Sequence, residues 1–309
     1  MNQYFPQFSK QLVACVASAV LVVGCGGGNE PIGSSRQAAQ SVAVAAAIDH
    51  DARFPAATLQ FLKDTTGLDG EQWDNIMQLV NKPEQDQLDW TKFYGYCEKL
   101  GDGRGYTIGI FGATTGGSND ANPDGPELFT AFDRASGTAV PSIAGGLALA
   151  GLSAAATPSA NGKTIKVTDG PAFIAGVAKL QDNLAWQDAM WKTFYKVYIQ
   201  YSVQQASQRG FADALTIGSF VDTALNQGAD GGKNTLEGLL KRTSTSTDEV
   251  TFLTDFYAKR ALVVDTNQFN QKPNGAHRVQ QWLDLMNLQL FSLKNADDAV
   301  VKVTSWVVK

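Results

Sequence analysis

Three glycines alternate with two charged residues in Gly101-Asp102-Gly103-Arg104-Gly105, and this segment constrains the fold more than any other part of the chain. Glycine at every second position permits positive φ angles and a close approach to the main chain, a freedom that costs folding entropy. An amphipathic helical pattern ends just before it, at Leu100, and a strand-like alternation follows it from Tyr106 to Phe111. The sequence therefore predicts a tight turn that holds a carboxylate and a guanidinium at the edge of a cleft.

Composition and charge limit the possible classes of protein. With 309 residues, 44% of them hydrophobic and 18% charged, the chain can bury one large core or two lobes. A net charge of −5, with no basic patch carrying interleaved aromatics, argues against nucleic acid and is compatible with a cationic ligand. His50 and His277 are its two histidines, and without a CxxC motif we expect no zinc site and no cofactor. A monomer is expected.

Residues 1–25 have the features of a targeting segment, with Lys10 in a short polar region and an apolar run from Leu12 to Val23. That run is too short to span a bilayer as a stable helix. The junction Gly24-Cys25 resembles the lipobox of bacterial lipoproteins. The resemblance implies cleavage before Cys25, acylation of this cysteine and a membrane tether; conventional secretion is the alternative.

Beyond the leader, the composition divides the chain into three parts. Residues 26–53 are rich in glycine, serine and alanine and are expected to be a tether, followed by a folded domain over residues 54–309. Residues 136–162 contain no charged residue and are rich in alanine and glycine, which predicts an insertion packed loosely on that domain.

Helical periodicity dominates, so we predict a mainly α protein with one small β element. A helix over 69–80 is expected to end before Pro83, which leaves Glu84 just past its end. Asp89 is expected to cap a second helix running to Leu100, with Cys97 on its apolar stripe as a structural thiol. Further helical patterns cover residues 169–209, as two helices or one bent helix, and residues 211–227, 246–264 and 278–291.

Glu84 and Asp102 form the most informative pair of carboxylates. A glutamate in a polar loop is usually solvated, and an aspartate in a glycine turn often serves the turn itself. One carboxylate after a helix end and one at a glycine turn can, however, face each other across a groove. Two carboxylates in unequal surroundings are what glycoside hydrolysis needs, one protonated and one ionised.

A family resemblance rests on four short segments. Leu79 through Glu84, Leu88-Asp89-Trp90, Tyr96-Cys97-Glu98 and Gly101 through Thr107 resemble the catalytic segment of the bacterial chitosanases of glycoside hydrolase family 46. The resemblance implies a two-lobed, mostly helical, lysozyme-like fold with a cleft between the lobes. It also implies endo-acting, inverting cleavage of β-1,4-linked glucosamine polymers such as chitosan, a cationic polysaccharide.

The same resemblance assigns roles to the residues that match. Glu84 is the implied general acid, Asp102 the general base, and Thr107 the residue that orients the attacking water. Arg104 either keeps Asp102 ionised or contacts the sugar, and a salt bridge that only braces the turn is the alternative.

The remaining matches are substrate-binding and supporting residues. Asp124 falls at a substrate-binding position of the family, with Asp120 as a rival in a longer loop, and Tyr96 and Glu98 also match; Glu98 could equally be solvated. A supporting Arg-Asp-Arg ion-pair network is implied for Asp222, Arg260 and Arg278, although charges on helices are more often surface pairs.

Other functions remain open at this stage. A lysozyme-like lipoprotein that cleaves peptidoglycan is one alternative, and a non-catalytic polysaccharide-binding lipoprotein is another. A chitosanase groove should be lined with acidic groups because chitosan carries an ammonium on each sugar, whereas a muramidase has no such need. A phosphate-binding loop is disfavoured because the glycine run follows a helix and precedes a strand.

Overall fold

Helices make up most of residues 48–120, 122–264 and 274–307, which are the residues described in a computed structural model. The helices of this part of the chain are α1 (Ala56–Thr66), α2 (Gly70–Gln85), α3 (Gly125–Ala135), α4 (Ile143–Leu149), α5 (Gly170–Ala178), α6 (Leu184–Phe194), α7 (Gln200–Ser207), α8 (Ala214–Gln227), α9 (Leu236–Leu240), α10 (Glu249–Ala261), α11 (Asn274–Asn287) and α12 (Asp297–Val303). Its strands are β1 (Cys97–Glu98), β2 (Thr107–Ile108), β3 (Ala113–Thr114), β4 (Ala156–Pro158) and β5 (Ile165–Val167). The prediction of a mainly α protein with a small β element is confirmed.

Helix α2 continues through a proline that was expected to end it. Because Pro83 has no N–H, the carbonyl of Leu79 loses the donor that an α-helix supplies four residues later. The side chain of Gln281 on α11 replaces this donor, with its Nε2 at 2.7 Å from the Leu79 oxygen. The helix therefore reaches Gln85, and Glu84 lies in its last turn. The predicted helix end before Pro83 is wrong.

The second predicted helix, from Asp89 to Leu100, is not formed. A short 3-10 turn covers Trp90–Phe93 and strand β1 follows it. Gly95 donates its N–H to the side-chain oxygen of Gln181 at 2.7 Å, so this backbone group is used in a tertiary contact and not in a helix. The apolar spacing therefore reflects packing of a turn and a strand, a tertiary effect that helical periodicity does not reveal.

The small β element is an antiparallel sheet in the order β1-β2-β3. Its register places Glu98 opposite Thr107, and Thr107 opposite Thr114. Residues directly opposite in such a pair project from the same face, so these three side chains share one face of the sheet. Cys97 on β1 is half-buried, and burial, with a smaller contribution from Glu98, raises the pKa of its thiol to about 12. This favours the expected structural thiol.

The alanine- and glycine-rich segment forms regular structure, and part of it packs closely on the domain although more than half of its residues are exposed. It forms α4 and strand β4, which pairs with β5 in a hairpin. A side chain at Gly146 would collide with the carbonyl of Phe129 on α3, which shows how closely the two helices approach. Leu147 and Leu152 are buried, and Ile165 donates its N–H to the carbonyl of Thr115 at 2.8 Å. The hairpin is thereby joined to the chain that follows β3.

The long helical pattern over 169–209 is divided in two. Asp169 caps α5 by accepting a hydrogen bond from the N–H of Ala172 at 3.0 Å. After a break, α6 passes through a π-helical turn, Tyr195–Ile199, directly into α7. Such turns insert an extra residue into a helix and re-aim the side chains beyond it.

Helix α8 is the centre of the core. Each of its residues except the last is buried, and it packs against α2, α7 and α11. The core of the described chain also contains five fully buried tryptophans, namely Trp73, Trp90, Trp186, Trp191 and Trp282.

The end of the segment assigned to a tether contacts the folded domain. His50 Nδ1 lies 2.8 Å from Asp74 Oδ2, and Arg53 pairs with the carboxylates of Asp74 and Asp89. The proposed leader and Cys25 lie outside the described residues. Within the described ranges, no helix has both the length and the apolar character required to cross a membrane.

Candidate active site

The glycine turn holds Asp102 against Arg104. The Oδ1 atom of Asp102 accepts a hydrogen bond from the backbone N–H of Arg104 at 3.0 Å, and its Oδ2 accepts one from Nε of Arg104 at 2.8 Å. The two side chains are 19% and 21% exposed, so the pair faces the solvent only in part. The salt bridge that braces the turn is therefore present, and it fixes the direction in which the Asp102 carboxylate points.

The neighbouring loop keeps this turn in place. Asn119 donates its side-chain N–H to the carbonyl of Asp102 at 2.8 Å and its backbone N–H to that of Gly103 at 3.1 Å. Gly105 has a φ of +86°, and a Cβ atom there would lie 2.6 Å from the carbonyl oxygen of Gly116. Only glycine fits this left-handed position and this close approach, which is the structural reason for the glycine in the sequence pattern.

Glu84 contacts a buried network of charges. Its Oε1 accepts a hydrogen bond from Nη1 of Arg278 at 2.6 Å. Arg278 also donates to Asp222 Oδ1 through Nε at 3.0 Å and through Nη2 at 2.5 Å, and Arg260 Nη2 lies 2.8 Å from Asp222 Oδ2. Both arginines and Asp222 are fully buried, whereas Glu84 is 20% exposed. The implied Arg-Asp-Arg set is thus in contact, and it meets the carboxylate of Glu84.

The charges of this network outweigh the effect of burial at Asp222 and Arg278 but not at Arg260, whose pKa is lowered by burial. Burial by itself would raise the pKa of Asp222, but the nearby Arg260 and Arg278 lower it below its ordinary value. Burial would likewise lower the pKa of Arg278, and the carboxylates of Asp222 and Glu84 raise it instead. With Glu84 ionised, two negative and two positive groups balance each other.

Tyr96 lies near the carboxylates of both Glu98 and Glu84. The Tyr96 hydroxyl donates to Glu98 Oε2 at 2.8 Å. Burial raises the pKa of Tyr96 most, followed by Glu98, and the negative charge of Glu84 raises it further. Glu84 at the end of α2 and Glu98 on strand β1 therefore both raise the pKa of the Tyr96 hydroxyl. Through the sheet register, Thr107 lies directly beside Glu98 on the same face.

Asp120 and Asp124 form a second acidic cluster, close to Arg104. Asp124 immediately precedes α3, and its Oδ2 accepts a hydrogen bond from the hydroxyl of Tyr198 at 3.1 Å. Burial, with help from the charge of Asp120, raises the pKa of Asp124 to about 6, against the opposing effects of Tyr198 and Arg104. Asp120 accepts a hydrogen bond from Thr114, the strand partner of Thr107. Both rivals for the binding position thus belong to one cluster.

Two residues of this site were missed in the sequence. Tyr198 lies in the helical pattern over 169–209; in the structure it belongs to the π-helical turn, and its hydroxyl donates to Asp124. Asn119 stood in a polar loop without a distinguishing pattern. The loop Gly116-Gly117-Ser118-Asn119 could have drawn attention, because its two adjacent glycines also allow a tight bend.

This chain is similar in sequence to a known family of glycosyl hydrolases. The family model of glycosyl hydrolase family 46 matches residues 78–122 and 158–292, which is more than half of the chain. The gap between the two ranges contains most of the alanine- and glycine-rich segment.

Relatives and solved structures agree with that match. A chitosanase of Niallia circulans is 55% identical over 266 residues, which cover 86% of this chain and 87% of that protein. The crystal structure of a native chitosanase from Bacillus subtilis superposes with a TM-score of 0.56 at 22% identity, over 74% of this chain and 94% of that one. A family 46 chitosanase of Gynuella sunshinyii in complex with chitotetraose gives a TM-score of 0.54 at 19% identity, over 74% and 93%. At these identities the solved structures show a common fold.

Proposed function

The chain belongs to glycosyl hydrolase family 46, and from this premise we propose that it is an endo-acting chitosanase that hydrolyses β-1,4-glucosaminidic bonds with inversion. The 55% identical relative from Niallia circulans is a chitosanase. The observation that carries the proposal is the set of five carboxylates that surround the glycine turn and the sheet, namely Glu84, Glu98, Asp102, Asp120 and Asp124. An acidic surface of this kind attracts a polymer that bears an ammonium group on each sugar.

Glu84 is the proposed general acid. Because its Oε1 already accepts a hydrogen bond from Arg278, the proton for the leaving oxygen is carried on Oε2. When this proton is transferred, Glu84 becomes a carboxylate facing a guanidinium that is already in place. The buried network therefore stabilises the charge that develops in the transition state, without reorganisation of solvent.

Asp102 is the proposed general base, with Thr107 orienting the water. Each oxygen of Asp102 accepts one hydrogen bond from Arg104. An ionised carboxylate offers about four lone-pair positions, so each oxygen retains the capacity to accept a proton from water. An inverting reaction needs room for this water, with carboxyl groups roughly 6.5–9.5 Å apart.

The substrate-binding residues are proposed to be Tyr96, Glu98, Arg104, Asp120 and Asp124. Acidic groups bind the sugar ammonium groups, and the Tyr96 ring offers an apolar and polar surface to the sugar. No cofactor is required by this mechanism. We propose that the protein acts as a monomer.

The N-terminal segment has a separate proposed role. We propose that residues 1–25 are a leader that is cut before Cys25, and that acylation of this cysteine tethers the enzyme to a membrane after export. Labelling with a radioactive fatty acid should mark the wild-type protein and the Cys97→Ser variant but not Cys25→Ser. Equal labelling of Cys25→Ser contradicts acylation at Cys25, and absence of label from the wild-type protein contradicts the anchor and favours conventional secretion.

Hydrolysis of highly deacetylated chitosan tests the catalytic proposal. The viscosity of the polymer should fall rapidly, and the α-anomeric proton of new reducing ends should appear first in the NMR spectrum. Glu84→Gln should abolish both signals. Asp86→Asn is the matched control, because it removes a nearby carboxylate at a φ of 56°, a left-handed conformation that asparagine tolerates.

Each alternative has its own outcome in this experiment. A β-anomer appearing first contradicts inversion. Solubilised peptidoglycan with untouched chitosan means that the substrate assignment is wrong, and hydrolysis of neither polymer supports a binding protein.

A further inference from the structure

A cluster of a histidine and two carboxylates lies outside the proposed active site. His50 immediately precedes a 3-10 turn, Asp51–Arg53. Glu71 lies in the first turn of α2, and Asp297 lies in the first turn of α12. One donor atom from each of the three side chains lies within 4.8 Å of the other two. Helix N-termini account for the presence of carboxylates at these positions, but not for an imidazole between them.

The imidazole of His50 is oriented by a residue behind it. Its Nδ1 lies 2.8 Å from Asp74 Oδ2, while its Nε2 lies 3.3 Å from Asp297 Oδ2. Asp74 is fully buried, and its two oxygens also accept hydrogen bonds from Arg53 and from the indole N–H of Trp90. When Nδ1–H is donated to Asp74, this arrangement matches the carboxylate-histidine pairs that orient metal ligands, and Nε2 is the atom on the side of Asp297.

Asp297 supplies an independent observation. Although a third of its side chain is exposed, its Oδ1 atom is inaccessible to solvent, and it accepts no hydrogen bond within the described part of the chain. A buried carboxylate oxygen without a partner is costly, and a cation bound there would remove the cost. One neutral imidazole and two carboxylates also balance the charge of a divalent ion.

We propose that His50, Glu71 and Asp297 bind one divalent cation of the zinc class, which joins the N-terminal turn to α2 and α12. An imidazole nitrogen favours zinc over calcium or magnesium, which prefer oxygen ligands alone. Three protein ligands leave a position for water, as in open zinc sites. The ion stabilises the fold and takes no part in hydrolysis.

Titration with zinc tests the proposal on protein purified without a polyhistidine tag and dialysed against a chelator. Calorimetry should detect one zinc ion per chain. A hundredfold excess of free zinc over the dissociation constant should raise the Tm by roughly 5–10 °C. Glu71→Gln and Asp297→Asn should each weaken binding at least about tenfold, because each removes a direct ligand. Chitosan hydrolysis should be unchanged in both variants.

Asp298→Asn is the matched control, since it removes the exposed neighbouring carboxylate of the same helix turn and should bind zinc as the wild type does. Equal binding by Asp297→Asn and Asp298→Asn means an adventitious ion only and overturns the proposal. Binding of calcium in preference to zinc overturns the role of His50.

Discussion

Arg278 is the residue whose loss should affect both stability and activity most strongly. It is fully buried and contacts two carboxylates, Asp222 and Glu84. In the variant Arg278→Met, Asp222 retains Arg260 at 2.8 Å and the indole N–H of Trp282 at 3.0 Å. One of the two positive charges that balance Asp222 and Glu84 is lost.

The expected cost follows from that imbalance. Removing one partner of a buried ion pair costs about 3–5 kcal/mol. For a folded unit of this size each kcal/mol corresponds to roughly 2–4 °C, so the Tm should fall by about 6–20 °C. The loss should persist in high salt, because buried charges are screened much less than exposed ones. kcat should fall as well, since the proton transferred from Glu84 leaves a carboxylate that no longer faces a guanidinium.

Differential scanning calorimetry at low and high salt measures the first effect, and steady-state hydrolysis of chitosan measures the second. Lys241→Met is the control, because it breaks an exposed pair with Glu237 and should leave the Tm unchanged. Arg278→Lys keeps the charge and should lose less stability than Arg278→Met. A Tm within about 2 °C of wild type for Arg278→Met would refute the reasoning, because a loss below about 1 kcal/mol is typical of exposed pairs.

Three further predictions concern single contacts. Because the pKa of Asp124 is raised to about 6, its carboxylate is lost as the pH falls through this value, and the pH dependence of kcat/KM should lose this limb in Asp124→Asn. Gly105→Ala should reduce kcat about a hundredfold by displacing the catalytic turn, whereas Gly101→Ala, at a similar φ of +77° with no atom near its Cβ, should keep most activity. Gln281→Met should cost about 1–3 kcal/mol of unfolding free energy in urea, and less in a Pro83→Ala background that restores the backbone donor. An unchanged pH dependence in Asp124→Asn contradicts the role of Asp124. Equal kcat values for the two glycine variants contradict the role of the close approach at Gly105. An equal loss of unfolding free energy in the wild-type and Pro83→Ala backgrounds contradicts the role of Gln281 as a substitute donor.

The class of fold was readable from the sequence because it depends on periodicity and caps. Asp69 caps α2 together with Gln72, and Gly228 follows α8 at the position where its pattern ends. These are local features, since each involves residues within one turn of the helix end.

The errors came from contacts between distant parts of the chain. Pro83 would end an isolated helix, but it does not end α2 because Gln281, almost two hundred residues later, satisfies the carbonyl that the proline leaves without a donor. Gly95 is drawn away from a helix by Gln181 in the same manner. No window of neighbouring residues contains this information.

In the candidate site, too, the local contacts were predictable from the sequence and the long-range ones were not. Asp102 and Arg104 are two residues apart, so the glycine pattern itself predicts their contact. Glu84 and Arg278 lie 194 residues apart, so no local pattern predicts their contact, and the family resemblance implied only the Arg-Asp-Arg network behind it. Tyr198 was missed because its role depends on a π-helical turn, and aromatic spacing does not distinguish such a turn from a regular helix.

The two proposed catalytic carboxylates each face an arginine, but in different surroundings. Arg278 is fully buried behind Glu84, whereas Arg104 is 21% exposed beside Asp102. A charge in the interior interacts strongly and is little affected by salt, while a pair near the surface is weakened by it. Added salt should therefore weaken the ion pair of the proposed base, Asp102 with Arg104, and leave the ion pair of the proposed acid, Glu84 with Arg278, unchanged.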